Sequence, residues 1–549
     1  MISTQNIKAE NMSCVPIIYK LCRMARIMET VNNEIVWRSD NSKVSPGFLI
    51  ESLVISTLSN RKPLWKMHEF WTQAELDYYY KDLDLRVELL NDDAYGRALD
   101  KLGKVKMQDL VGKICLEMLK LHELDLTHAH FDTTSKSVQG VFKEEVDGEF
   151  DIVLGFSKDH RHDLKQYKIG AAVQQNGLPV MGELLAGNKV DSQWNADSIC
   201  KMRGMFEGHG FENTIFIGDS ATVASYESLK KLEHMKFISR FPETFSLTKK
   251  LKEEAYLADS FEDIKVTGEE KVKYKISTAT RMLNEIPYRF IVVHSTALKA
   301  RKTITQEKNI QKEQKKLEKN AKNLYKMAYA CEADALSALE KFKETVTAKG
   351  FLISCEVEVK SKAVYSKRGR PKNSDIVKEE ETFHVVAAII GPNKDVFEKK
   401  LEMGSTFVLI TSILDNEELS DAKILSEYKQ QNSIEQAFKF LKNPVYLGQT
   451  LLNRKNRVEA MGYVFILVLM IACYLQYRVR KSLEDKNEYV LDPGNKKNYR
   501  PSTKRIFEIL ENVVVLITPY GRFFPSNTNP RIFKMIEWAG FDPEIYLKI

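Results

Sequence analysis

Residues 1–122 space apolar side chains three and four apart in IIYKLCRMARIMETV, GFLIESLVISTL and LVGKICLEMLKLHEL, the pattern of helices that bury one stripe. In LNDDAYGRALDKL, Asn91 or Asp92 precedes an apolar-periodic stretch, as a helix N-cap does. From Thr127 the period becomes two: His128, His130, Asp132 and Thr134 alternate with Ala129, Phe131 and Thr133, so a strand carries Asp132. FDIVLGFS and YKIGAAVQQ predict further strands, Ser192 to Gly208 a helix, and TIFIGDS a short strand ending at Asp219. Strands, a helix and a strand in that order predict a mixed α/β core.

Beyond Pro242 the strands YRFIVVHS, FLISCEVEV and FHVVAAII are interrupted by a basic helical region around residues 300–346, which reads as an inserted domain. FVLITSI at 407–413 returns to a core-like pattern, and helices follow through Lys442. The expected organisation is a helical N-terminal region (1–122), a first core segment (123–242), a strand-rich insertion (243–405), and a second core segment with C-terminal helices (406–549). Ala460 to Leu475 runs sixteen residues without a charge. A membrane span needs about 20, so a buried helix is expected.

Apolar residues make up 43% of the 549 and charged residues 29%, values of a globular chain long enough for two or three domains. The seven cysteines are scattered, with no zinc-binding spacing, and the N-terminus lacks a secretion signal, so a cytoplasmic, reducing setting is expected. The net charge of +7 is mild, but Lys299 to Lys326 alone carries +7. That segment suits either a solvated helix face or a polyanionic partner.

Aspartates in such strands need partners when ionised, although either one alone also fits a turn or cap. In YKQQNSIEQAFKFLK, Tyr428, Gln431, Glu435 and Lys442 stand at offsets 0, 3, 7 and 14. On one helix they share a stripe of roughly 60°, bordered by Ile434, Phe438 and Leu441 as packing residues. Periodicity leaves Glu435 either exposed to solvent or at the edge of a buried face.

HFDTTS, GFSKDHRHDLKQ, IGDSA and the Y-x2-Q-x3-E-x6-K helix together resemble a family of bacterial insertion-sequence transposases whose signature is Tyr, Arg, Glu, Lys at this spacing. The resemblance spans most of the chain, with LNDDAYGRALDKL ahead of the first Asp and GNKVDS and ISRFPET around the second. It implies an α/β fold with an RNase H-like mixed-sheet core. Asp132, Asp219 and Glu435 would be the catalytic carboxylates holding two Mg²⁺ ions, for which Mn²⁺ substitutes. The 216 residues from Asp219 to Glu435 suit an insertion. Hard divalent ions take oxygen ligands, and a pair of them serves phosphodiester cleavage and strand transfer.

The resemblance also assigns DNA contacts to Tyr428 and Lys442, and it departs at Gln431, where the family has a basic residue. Lys158, Arg161 and Lys165 of GFSKDHRHDLKQ suit either a phosphate-contact loop or a polar hairpin. Arg368 and Arg370 in SKRGRPKNS resemble an AT-hook core, though such a segment also forms an ordinary turn. The expectation is a cytoplasmic, nucleoid-associated bacterial transposase, acting on its own terminal inverted repeats and on target duplex DNA as a homodimer, without a membrane. The rival is a transposase-derived DNA-binding protein without catalysis.

Overall fold

The computed structural model describes residues 7–38, 43–121, 123, 126–140, 142, 150–157, 161–174, 177–266, 272–365, 377–443, 452 and 454–548. Its centre is a nine-stranded mixed sheet. In chain order the strands are β1 (His128–Ser137), β2 (Gln166–Gln174), β3 (Pro179–Ala186), β4 (Ile215–Gly218), β5 (Phe237–Arg240), β6 (Glu262–Ile264), β7 (Tyr274–Leu283), β8 (Ile286–Ser295) and β9 (Thr406–Thr411). Their spatial order is β3-β2-β1-β4-β5-β9-β8-β7-β6. β1, β2 and β3 form an antiparallel meander, whereas β4 and β5 lie parallel to β1. The expected strand at FDIVLGFS is reduced to a bridge between Val153 and Gln166. There the Gln166 side-chain amide bonds the carbonyls of Phe156 and Gly187, replacing a continuous ladder.

The N-terminal periodicity becomes helices, among them α1 (Val15–Met24), α2 (Pro46–Leu58) and α3 (Met107–Leu121). The apolar run after Val15 is not one helix: Arg26 takes a left-handed backbone at φ 53°, and a second short helix starts at Ile27. Asn91 caps the helix that follows it by accepting from the Ala94 amide. A short strand at Lys8–Asn11 pairs with Val514–Thr518, so the two ends of the described chain share a small sheet.

On one face of the main sheet lies α4 (Asp191–Phe206), with Trp194 against the Cα side of Gly170 and beside Phe131. The other face near β4 and β5 is covered by α6 (Asp421–Lys429), whose Ile424 and Leu425 pack with Ile217, Ile238 and Leu409. α7 (Asn432–Lys442) then crosses β1 and β2. The single helix expected from Tyr428 to Lys442 is therefore two. The Gln431 amide bonds the Tyr428 carbonyl at 3.3 Å, a tight i−3 turn that redirects the chain and divides the expected stripe between α6 and α7.

The charge-free segment belongs to α8 (Lys455–Asp485), 31 residues long, which has the length and apolarity to cross a membrane, yet 94% of its most apolar window is buried inside the protein. It packs against α2, α3, α7 and β3, joining the N-terminal helices to the sheet edge. Residues 243–405 divide in two. β6, β7 and β8 extend the main sheet, while α5 (Thr296–Tyr325), two further helices and the hairpin of Phe351–Tyr365 with Val377–Pro392 form small cores of their own.

Candidate active site

The parallel register of β1 with β4 places His128 beside Ile215 and His130 beside Ile217. Asp132 lies two residues beyond the last paired residue on β1, and Asp219 lies at the same offset on the other chain segment, one residue past the end of β4. β5 continues the row: Gly218 pairs with Ser239, so Arg240 follows next to Asp219. Asp132, Asp219 and Arg240 thus fall at matching offsets at or just past the same end of three parallel strands, the end at which α/β sheets commonly place ligands.

Asp132 is half-buried, and its Oδ1 accepts from the Thr133 amide. Asp219 is exposed; its Oδ1 accepts from the Ala221 amide at 2.9 Å and from Asn195 Nδ2 at 3.3 Å. Asn195 reaches it from α4 while also bonding Thr222. The Ser239 hydroxyl holds the Asp219 carbonyl at 2.7 Å, fixing the backbone that carries the carboxylate.

Tyr428, in the last turn of α6, packs on Phe407 and lies next to the Arg240 guanidinium. Burial raises its phenol pKa, opposed by the Arg240 charge and reinforced by Asp219. Arg240 also lies over the Phe407 ring at 5.5 Å, whose other cationic neighbour, Lys429, sits at 5.7 Å. Lys429 is further engaged with Tyr274 at 5.0 Å.

Below Asp132 on β1, His130 is fully buried, and neither ring nitrogen has a hydrogen-bond partner among the described residues. Burial, with His128 nearby, drives its pKa down to about 3, so it is a neutral imidazole at any physiological pH. Beneath it His128 approaches Glu427 at 3.9 Å, and buried Glu427 is paired with Lys423 at 2.6 Å.

Glu435 is exposed in the first turn of α7, with Phe438 buried beneath that helix and Lys442 half-buried in its last turn. Among the described residues, no three His, Cys, Asp or Glu side chains are grouped closely enough to hold a metal ion. The strand order puts the two aspartates on neighbouring chain segments at the same end of the sheet, and Glu435 is carried by a helix crossing the strand of Asp132, but the three do not form one cluster.

A cavity of about 490 Å³ opens beside Asp219, lined by Lys168, Asn188, Lys189, Ser192, Ser220 and Thr244 among others. Lys168 is buried there, donating to Asp191 and to the Lys189 carbonyl. Arg161 is exposed and bonds Asp163 through two nitrogens, at 2.8 and 2.7 Å. Lys165 donates to the Phe142 carbonyl, and its backbone meets Val138, about 20 Å along the hairpin from Asp132. Lys158, Arg368 and Arg370 lie outside the described residues. Sequence reasoning did not single out Arg240 or Asn195; Arg240 sits inside ISRFPET, a motif whose individual residues it left unassigned.

A family model described as "Domain of unknown function (DUF4277)" matches residues 7–116, the N-terminal helices. No curated protein matches the chain. Two solved structures, "Mos1 transposase paired-end complex with left transposon end" and "Crystal structure of the Mos1 Strand Transfer Complex", are similar over 37% of this chain, at 13% and 12% identity and a TM-score of 0.15 each. This chain spans 60% and 59% of their lengths. Similarity that slight identifies neither a fold nor an activity.

Proposed function

We propose that the chain is a DNA transposase with an RNase H-like core, cutting the ends of its own element and joining them to target DNA by metal-dependent phosphoryl transfer. The observation that carries this reading is the placement of Asp132 on β1 and of Asp219 just past the adjacent parallel strand β4, each two residues beyond the last paired residues, within a meander followed by parallel strands in the order 3-2-1-4-5. The position of α7 across β1 and β2 supports Glu435 as the third carboxylate.

The donor set suits Mg²⁺, which commonly takes one or two carboxylates and completes its shell with water and substrate phosphate. Asp132 and Asp219 would hold it, with Glu435 joining on DNA binding. Mg²⁺ held there would supply an activated water and offset charge on the leaving oxygen. Arg240 takes a non-bridging phosphate oxygen, and Tyr428 holds its guanidinium in place, supplying near the scissile phosphate the charge that Gln431 lacks. Asn195 keeps the Asp219 carboxylate oriented. Water attacks phosphorus, the P–O3′ bond breaks, and the freed 3′-hydroxyl attacks a target phosphodiester in the same manner. The cavity beside Asp219 offers room for a neighbouring nucleotide, and Lys442 a phosphate contact.

A second reading, DNA binding without cleavage, is favoured by one observation: the three carboxylates are not clustered among the described residues. Incubating the full-length protein with DNA bearing the inverted repeats that flank its gene, with and without Mg²⁺, separates the two. Metal-dependent nicks at the repeat boundary support the enzyme, whereas tight binding with no nick supports the second reading.

A further inference from the structure

The long helix α5 divides its residues by face more sharply than its composition suggests. Taking about 100° per residue, Arg301, Lys308, Lys312, Lys315, Lys319, Lys322 and Lys326 fall within an arc of about 80°. All seven are exposed. The opposite side carries buried Ala321 together with Ile310, Leu317 and Leu324, which pack into the two small cores built on the hairpin. Packing thus sets the helix's rotation and aims the cationic stripe directly away from the protein.

Nearby acids do not neutralise it. Glu313 lies off the stripe, paired with Lys349, and Glu402 is taken by Lys299 and His294. Glu307 and Glu318 lie on the same helix, and although Glu318 stands four residues before Lys322 it bonds Gln314 instead, so none of the seven stripe cations forms an ion pair with a described residue. From Arg301 to Lys326 the stripe is about 38 Å long at 1.5 Å per residue, close to one turn of duplex DNA.

We propose that this stripe is a second DNA-binding surface, separate from the carboxylate site, that holds about one turn of duplex through its phosphates. Lysines at such intervals act as movable point charges that reach phosphates of both strands beside a groove, without reading bases. Duplex rather than single-stranded DNA is favoured because the stripe contains no aromatic side chain on which unpaired bases could stack. The inference rests on the reading that the protein's substrate is DNA, but not on catalysis.

The test uses the full-length protein and a duplex of about 40 base pairs, comparing the wild type with a Lys308→Gln/Lys315→Gln/Lys322→Gln variant over a salt series. Each lost phosphate contact lowers the slope of log affinity against log salt by about 0.9, so a fall of about 2 to 3 is expected. A Lys→Arg variant at the same positions should keep the wild-type slope. An unchanged slope in the Gln variant overturns the proposal, as does an equal fall measured on single-stranded DNA. Wild-type nicking with Mg²⁺ in parallel keeps the outcomes apart: cutting with an unchanged slope rejects the stripe alone, and a fallen slope without cutting rejects the enzyme alone.

Discussion

Arg240 at the end of β5 lies close enough to Tyr428 at the end of α6 to lower its phenol pKa, while the Asp219 carboxylate raises the same pKa. Arg240 also pairs loosely with Glu243 at 4.0 Å, a contact that leaves its guanidinium open to a phosphate entering beside Asp219. Arg240→Gln is expected to slow end cleavage about 10- to 100-fold, matching the roughly 1.5–3 kcal/mol of a hydrogen bond to a charged group. Tyr428→Phe should do less, since it only loosens the guanidinium. Single-turnover cleavage at saturating DNA measures both, and equal rates for Arg240→Gln and wild type would remove Arg240 from the site.

The carboxylates make a sharper prediction. Asp132→Asn, Asp219→Asn and Glu435→Gln are each expected to abolish Mg²⁺-dependent nicking and leave DNA affinity within a few-fold of wild type, because an amide keeps the shape but loses the charge that binds the ion. Mn²⁺ should partly rescue a weakened ligand. Retained cleavage by Glu435→Gln alone would leave the two aspartates as the metal site and exclude α7 from it.

Support for Asp219 runs through the core. Gly170 faces Trp194 so closely that an added Cβ would stand 2.3 Å from the indole, and Trp194 precedes Asn195, the residue bonded to Asp219. Gly170→Ala is therefore expected to displace the N-terminal part of α4, costing about 1–3 kcal/mol of stability as overpacking does. Cleavage should fall with it, because Asn195 moves with Trp194. Calorimetry and the nicking assay check this together; lower stability with undiminished cleavage would show that Asn195 does not position the carboxylate.

How far the sequence led depended on which residues pack against one another. Alternation in THAHFDTT marked the strand and the side on which Asp132 lies, since a period of two follows from the pleat itself. That Asp219 follows the neighbouring strand at the matching offset required strand order, and strand order is set by long-range pairing that no local pattern carries. The helix of Tyr428 and Glu435 was legible as helical, but its break at Gln431 was not: Gln430 and Gln431 are ordinary helix formers, and the turn follows from packing α6 on β4 and β5 and α7 on β1 and β2. Arg240 stayed hidden for a related reason, because its partner Tyr428 lies 188 positions away in the chain. The apolar stretch of α8 announced burial correctly, although the helix runs well beyond it at both ends.

The N-terminal helices contain a buried carboxylate whose titration can be read directly. Glu51 is fully buried; its oxygens accept from the Tyr80 hydroxyl at 2.8 Å and the Met28 amide at 3.2 Å, with Arg23 3.6 Å away. Burial outweighs these partners and raises its pKa to about 7. A folded-state pKa above the unfolded value means that the protonated form favours folding: the contribution is complete below about 4.5 and is lost as pH rises through about 7. Glu51→Gln removes that dependence while a Tyr hydroxyl can still donate or accept. Relative to wild type, the variant should thus gain stability between pH 5 and pH 8, by up to about 3 kcal/mol at roughly 1.4 kcal/mol per pKa unit. Denaturation midpoints of both proteins at the two pH values measure the difference of differences, which cancels the other carboxylates. A variant whose advantage is the same at pH 5 and pH 8 would mean that Glu51 is ionised throughout, held by Arg23 more strongly than burial opposes it.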